Sequence, residues 1–248
     1  MASYDIFDIQ IADRFNSKTL ISTGGKAIVC LNSAPYVLAT LYNPDSDFAS
    51  LSQPVSLTRG KLRFAIARSA TATQPASVDV YGTAPSGHGF RGYAVKPSDP
   101  AIIRIDTGDP RSHLVLPFSF AQGVVASVVD LGLDLPAGAL VDPFPWIDVK
   151  AIDATETIDV GLLASESGGD EDGFLAAADI GTLGVVRGKN ASTATTGALL
   201  RESQDAAATN TPRPHLIAAA VSVTWTMTTG SDTGTGRIVV PYMVAVTG

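Results

Sequence analysis

The sequence predicts an all-β protein, and three observations support this prediction. Apolar and polar side chains alternate in several segments, most clearly from Val221 to Thr228, and a period of two is that of a half-buried strand. Turn-forming residues such as Asn43-Pro44-Asp45 bound these segments. The 23 glycines and 15 prolines are spread over all 248 residues, which disfavours long helices. Many short strands joined by turns are typical of sandwiches, and we expect two β-sandwich domains.

The predicted strands fall into three consecutive regions. Residues 1–38 are expected to form an N-terminal arm and the first strands. Residues 39–119 match an immunoglobulin-like sandwich in size, and their predicted strands are Ala39–Tyr42, Pro54–Leu57, Lys61–Ala67, Val78–Tyr81, Ile102–Ile105 and Leu114–Phe118. Residues 120–248 suit a jelly-roll-like sandwich, with longer predicted strands that include Val124–Leu131, Trp146–Ile152, Ile158–Leu163, Leu216–Thr228 and Gly236–Val246.

The composition indicates a folded chain whose surface is partly covered by a partner. Hydrophobic residues make up 45 % of the sequence, so the chain does not have the low hydrophobicity that disorder requires. Charged residues make up 17 %, which is below the usual share of about a quarter. A surface with so few charges predicts that another molecule covers some of it.

The charge distribution argues against a nucleic-acid partner. The formal net charge is −7, and the 17 Lys and Arg residues are scattered among 24 Asp and Glu residues. Binding to phosphates requires a concentrated basic patch. No membrane partner is expected either, because the most apolar stretch, Leu216 to Met227, is about 12 residues long and too short to cross a bilayer. The N-terminal Met1–Asp5 has no signal-peptide pattern, which predicts synthesis in a cytoplasm.

The sequence contains no convincing catalytic or cofactor-binding arrangement, and we expect no enzyme. His88, His113 and His215 are far apart and follow no metal-ligand spacing, and His88 is interpreted as a solvated histidine in a turn. The lone Cys30 lies in an apolar run and is expected to be buried. Gly24-Gly25-Lys26 lacks the rest of a phosphate-binding loop, so no cofactor is predicted.

One acidic segment, residues 166–172, allows a metal hypothesis. Asp170, Asp172 and Gly173 have some of the features of a calcium loop. Their order departs from the calcium-loop pattern, and the required final Glu is absent. We therefore expect a solvated loop and assign no metal ligands, while calcium stays an open alternative.

The last predicted strand is apolar on both faces, from Ile238 to Val246. Such a strand is covered on both sides, either as a central strand under a loop or at a subunit interface. Pro241 favours an edge or a bulge because it has no N–H. The long polar segment Gly188–Pro214 is either an arm laid on a neighbour or a solvated loop, and the first residues, Met1–Leu20, form either an arm or an added strand. The candidate contact side chains are Ile6, Ile9, Ile11, Ile238, Val240 and Tyr242.

Several stretches resemble structural proteins of tailed-bacteriophage virions. Leu51 to Phe64, followed by Ser77-Val78-Asp79-Val80-Tyr81, is similar to small β modules of such proteins. Thr157–Leu163 followed by Gly169–Leu175, together with Ile238–Tyr242, is similar to the C-terminal domains of phage head or decoration proteins.

This resemblance implies a decoration (cement) protein, an accessory head protein that binds the major capsid protein on the outside of the virion. It also implies assembly in the host cytoplasm and symmetric copies, often homotrimers. The alternative is a host-facing head-fibre, tail or baseplate module that binds a receptor or a glycan. Aromatic residues at predicted loop tips would favour that alternative, and the candidates are Phe90, Tyr93, Phe144 and Trp146.

Overall fold

The computed structural model describes residues 3–13, 24–33, 36–68, 77–97, 101–107, 109–122, 126–151, 157–188, 196–201, 212–228 and 233–244. The chain divides into two compact units, Met1–Asp109 (unit 1) and Pro110–Gly248 (unit 2). The described residues form strands with only two short 3-10 turns, Phe120–Gln122 and Ala198–Leu200, which confirms the all-β fold class. None of the helices in these ranges has the length and apolarity that a membrane crossing needs.

Unit 1 contains two antiparallel-rich sheets around one core. Its strands are β1 (Tyr4–Asp13), β2 (Lys26–Leu31), β3 (Leu41–Asn43), β4 (Ala49–Leu51), β5 (Val55–Ser56), β6 (Lys61–Ala67), β7 (Val78–Thr83), β8 (Gly89–Val95) and β9 (Ala101–Ile105). One sheet has the order β4-β3-β6-β1-β9 and the other has the order β5-β2-β7-β8. Phe7 and Phe64 stack in the core with ring centroids 5.0 Å apart.

The N-terminal residues lie inside the first sheet of unit 1. Strand β1 pairs antiparallel with β6 and parallel with β9, so it is an inner strand. Ile9 and Ile11 belong to the core of unit 1 because they share a face with Phe7 at a period of two. Ile6 is partly buried on the opposite face. Of the two alternatives for residues 1–20, the structure therefore shows a strand over Tyr4–Asp13, and residues 14–20 lie outside the described residues.

Unit 2 also contains two sheets. Its strands are β10 (Arg111–Ser119), β11 (Val128–Leu135), β12 (Leu140–Val141), β13 (Trp146–Ala151), β14 (Thr157–Leu162), β15 (Asp170–Asp179), β16 (Gly184–Arg187), β17 (His215–Leu216), β18 (Val221–Met227) and β19 (Thr235–Met243). The six-stranded sheet has the order β16-β13-β19-β12-β17, with β10 paired to β19. The four-stranded sheet of unit 2 has the order β11-β18-β14-β15.

Strand β10 explains where unit 2 begins. It pairs with β19 along its whole length, from Arg111 opposite Met243 to Ser119 opposite Thr235. The boundary between the units therefore lies between Asp109 and Pro110, before the strand that the sequence places at the end of the first sandwich. The position of this boundary depends on a pairing between strands that are distant in sequence, and the alternation of neighbouring residues does not show which strands pair. The immunoglobulin-like and jelly-roll-like assignments stay predictions.

Strand β19 is the centre of the six-stranded sheet, and it contains Pro241. Strand β10 pairs with one edge of β19, and β12 and β13 pair with the other edge. The Pro241 carbonyl accepts a hydrogen bond from the Asp142 N–H (2.9 Å) at the point where β12 has ended and β13 has not begun. Since the missing N–H of Pro241 points to this same gap, the proline costs the ladder no hydrogen bond.

Candidate interaction surface

The exposed large apolar side chains of the described residues are concentrated in unit 2. Their exposed fractions lie between 44 and 62 %, and they are Phe144, Leu183, Val185, Leu216 and Met243 in unit 2 and Tyr93 and Ile102 in unit 1. All five residues of unit 2 lie on or beside strands of the six-stranded sheet. Contiguous exposed apolar surface is typical of protein interaction sites. The outer face of this sheet is therefore the candidate site.

Three apolar side chains form a row across this outer face. Leu140 is paired with Leu216 on one side and with Met243 on the other. Met243 is in turn paired with Arg111. Directly paired residues of antiparallel strands project to the same face. Leu216, Leu140 and Met243 therefore form a continuous apolar row that ends at the exposed residue Arg111.

A cluster around Trp146 continues the face. The Trp146 ring meets the His113 ring edge-on, with centroids 5.8 Å apart and an interplanar angle of 69°. The guanidinium carbon of Arg187 lies 5.7 Å from the centroid of the same indole. Arg187 is paired with Trp146 across β16 and β13, which keeps the cation over the ring. The face thus carries cationic groups beside apolar ones.

A pocket of about 230 Å³ opens between these groups. Its lining residues are Arg111, Ser112, His113, Leu140, Asp142, Pro214, Pro241, Tyr242 and Met243. The Asp142 N–H donates to the Pro241 carbonyl, and the Asp142 carboxylate accepts the Phe144 N–H at 2.9 Å. These bonds hold the exposed carboxylate on the opposite side of β19 from Arg111. An apolar pocket that also contains a cationic and an anionic residue offers both apolar and polar contacts to a side chain of another protein.

The predicted contact side chains of β19 lie on its other face. Ile238, Val240 and Tyr242 are buried in the core of unit 2, so they do not offer a surface to a partner. The outward residues at the exposed end of the strand are Pro241 and Met243. Both faces of β19 are apolar, as the sequence indicates, but alternation alone cannot tell which face meets the core.

The structure describes only parts of the other predicted contact segments. Of residues 188–214, the ranges 189–195 and 202–211 lie outside the described residues. Within the described part, Leu200 is buried, and Thr196 and Arg201 form isolated bridges with Leu175 and Pro212. This part of the segment therefore packs on unit 2. At the N-terminus, Ile9 and Ile11 are core residues of unit 1 and do not form a contact surface.

The four aromatic candidates for receptor binding separate into two groups. Phe90 is buried in the core of unit 1. Tyr93 is exposed beneath Arg91, whose guanidinium carbon lies 5.9 Å from its ring centroid. Phe144 is exposed, and the partly buried Trp146 lies close to it in sequence on the candidate face. Phe144 and Trp146 are thus the pair that the fold brings to the interaction surface.

Acidic side chains surround a second, open pocket of about 410 Å³ on the four-stranded sheet of unit 2. Burial raises the pKa of Asp159, and the nearby charge of Asp172 adds to this effect. Burial also raises the pKa of Asp170, together with a hydrogen bond to Asp172 and the charge of that neighbour. In the described ranges, no group of three or more His, Cys, Asp or Glu residues is arranged to hold a metal ion.

His88 is buried, which contradicts its interpretation as a solvated histidine. Only 6 % of the residue is exposed. Its Nε2 lies 3.1 Å from the Asp109 carbonyl oxygen and its Nδ1 lies 3.1 Å from Ser86 Oγ. Because a carbonyl only accepts, Nε2 carries the hydrogen, and Nδ1 accepts from the Ser86 hydroxyl. His88 thus fastens the turn before β8 to the end of unit 1, a contact that the sequence does not signal.

The fold and this surface define an all-β protein with an exposed apolar sheet face. No protein-family model matches the sequence, and no curated protein matches it. Among solved structures, the chain is similar to one described as "Cyanophage Pam1 capsid asymmetric unit", with 18 % identity over 54 % of this chain and 84 % of that chain and a TM-score of 0.33. A TM-score of this size does not establish a common fold.

Proposed function

We propose that the protein is a structural virion protein of a tailed phage, a decoration (cement) protein that binds the outer capsid surface and stabilises the head. The observation that carries this proposal is the concentration of exposed apolar side chains around the six-stranded sheet. A sheet held by long pairings such as β10 with β19 is a rigid base for a contact surface. The phage-like stretches of the sequence point to the same role.

The contact with the major capsid protein is assigned to the β16 side of the sheet. Within the described residues, β16 pairs only with β13, so its second edge is open. Leu183 and Val185 are the exposed apolar residues at this edge. An open edge with apolar side chains is suited to strand addition by another polypeptide. Each Å² of apolar surface buried in this contact contributes about 25 cal/mol. Because symmetry repeats the contact over the capsid, even a modest contact area per copy adds to the stability of the head.

The test uses heads from a phage genome that lacks the gene for this chain. We expect such heads to lose DNA at lower temperature than complete heads, and purified protein to restore them. The Leu183→Asp/Val185→Asp variant should bind these heads at least about 10-fold more weakly, because it places charges in the contact. Ile102→Asp is the control, since Ile102 is also an exposed apolar residue but lies in unit 1. Absence of the protein from purified virions would refute the proposal.

The proposal includes no enzymatic activity. One described pair places a hydroxyl beside an imidazole, Ser86 with His88, and the other ring nitrogen of His88 donates to a main-chain carbonyl instead of a carboxylate. We infer a structural task for this pair. Hydrolysis of p-nitrophenyl acetate should stay at background and should not change in Ser86→Ala. Turnover that disappears in this variant would require a hydrolase instead.

The second candidate function is receptor or glycan binding by a head-fibre, tail or baseplate module. It is favoured by the exposed Phe144 beside Trp146, because aromatic faces bind sugars and proteins alike. This candidate predicts binding to host surface polysaccharide that is lost in Phe144→Ala. Binding to gene-deleted heads without any polysaccharide binding would exclude it.

A further inference from the structure

We propose that the pocket side of the six-stranded sheet is the contact surface for a second copy of this chain. The two copies would be related by a two-fold axis that runs along β19, between the two outer sheet faces. This pairing does not depend on the virion role, and it uses a different part of the sheet from Leu183 and Val185.

The first argument is the placement of opposite charges on the two sides of β19. Arg111 lies on the β10 side and is paired with Met243, whereas Asp142 follows β12 on the other side and bonds the Pro241 carbonyl. A two-fold axis along β19 exchanges these sides. Arg111 of each copy therefore faces Asp142 of the other copy, so the charges are self-complementary.

The distance along the strand is compatible with this ion pair. Along the direction of β19, Arg111 is at the position of its paired residue Met243, and Asp142 is close to the position of Pro241. These two positions are two residues apart on β19. Two residues of a strand span roughly 7 Å, which an extended arginine side chain can reach. Arg111 and Asp142 are both exposed residues that line the same pocket of one copy, so each lies on the face that the second copy would meet.

The apolar side chains support the same axis. Met243 and Pro241 project outward from β19 itself and therefore meet their counterparts in the second copy. The unbranched Met243 side chain is suited to filling a pocket of about 230 Å³ in the facing copy. Leu140 lies opposite the aliphatic stem of Arg111 of the other copy. Leu216, which is two strands away from β19, stays at the rim.

The decisive experiment mixes two charge variants and measures mass by sedimentation equilibrium. The wild-type chain should have twice the 25.6 kDa mass of one copy. Arg111→Asp and Asp142→Arg should each weaken the dimer at least tenfold, because each creates two like-charge contacts. An equimolar mixture should recover the dimer, since both contacts then join opposite charges between chains. Arg104→Asp in unit 1 is the control and should dimerise like the wild type.

A second set of variants keeps the proposal testable if a charge variant does not fold, which circular dichroism would show. Met243→Asp on the axis should abolish the dimer, whereas Leu216→Asp at the rim should leave it within about threefold. A monomeric or trimeric wild-type chain would overturn the pairing. So would a mixture of the two folded charge variants that stays monomeric, or a Leu216→Asp effect as large as that of Met243→Asp.

Discussion

The two units differ in the polar groups that they bury. In the described part of unit 1, three aspartates and one histidine are buried: Asp5, Asp13, Asp79 and His88. Each has a specific partner, as when the Arg68 Nε donates to Asp5 at 3.0 Å and the Thr107 hydroxyl donates to Asp13. In the described part of unit 2, the buried polar residues all carry hydroxyl groups: Ser112, Ser119, Thr196, Ser222 and Thr224.

Although both units are built from β-sheets, they differ in where they place polar and apolar side chains. A buried carboxylate is tolerated only where fixed donors surround it, so each of these groups in unit 1 specifies one arrangement of neighbouring strands. The described carboxylates of unit 2 are instead exposed or partly buried, and this unit places apolar side chains on the outside of its six-stranded sheet. The described part of unit 1 therefore carries internal polar constraints, and unit 2 carries the candidate interaction surface.

The largest expected effect tests the buried carboxylates of unit 1. Asp79 is 2 % exposed, and its Oδ1 accepts the Ala94 N–H at 2.9 Å and the Asn32 side-chain amide at 3.1 Å. Asp79→Ala removes two hydrogen bonds to a buried carboxyl group and should lower the free energy of unfolding of unit 1 by about 3 kcal/mol. Asp79→Asn keeps an acceptor oxygen and should lose less.

The measurement can separate the units because both tryptophans, Trp146 and Trp225, lie in unit 2. Urea unfolding followed by tryptophan fluorescence should not change in Asp79→Ala, whereas hydrogen exchange of β7 and β8 should accelerate. The matched control is Asp45→Ala, which removes an exposed ion pair with Arg63 (2.8 Å) and should cost less than about 1 kcal/mol. Equal effects of the two substitutions would contradict the comparison.

A smaller effect is expected at His88. His88→Ala removes a buried imidazole and its hydrogen bond to the partly buried Asp109 carbonyl, and should destabilise unit 1 by about 1–2 kcal/mol. Ser86→Ala removes only the contact of an exposed hydroxyl and should cost less. Hydrogen exchange of residues 84–90 is the readout. If both variants exchange like the wild type, His88 does not fasten the end of unit 1.

Local patterns predicted the strands but not their partners. Lys61–Ala67 and Val221–Met227 are strands as their alternation indicates, because a period of two is a property of neighbouring residues. The inner position of β1 depends on its parallel pairing with β9, and the start of unit 2 depends on the pairing of β10 with β19. Both pairings join residues far apart in sequence.

For the candidate surface, the sequence pattern identified the strand but not the face of that strand. The sequence shows that both faces of β19 are apolar, and it directs attention to this strand. It assigns the contact to Ile238, Val240 and Tyr242, whereas the outward residues at the exposed end are Pro241 and Met243. The two sets differ by a shift of one residue, which reverses the faces of a strand. The contributions of Arg111 and Leu216 come from other strands and carry no local signal.

The smallest expected effect concerns the surface carboxylates of unit 2. The pKa values of Asp159 and Asp170 are raised in the folded chain, chiefly by burial, so folding disfavours their ionised forms. Unit 2 should therefore become more stable as the pH falls from 7 through these raised values toward the ordinary value of 3.8. Asp170→Asn should stabilise unit 2 at pH 7 by less than about 1 kcal/mol, since the group is largely solvated, and should flatten this pH dependence.

Urea unfolding followed by tryptophan fluorescence at pH 7 and pH 5 is the measurement. Asp130→Asn, at an exposed position of the same sheet, is the control, and a loss of stability in Asp170→Asn at pH 7 would show that the carboxylate is structurally required.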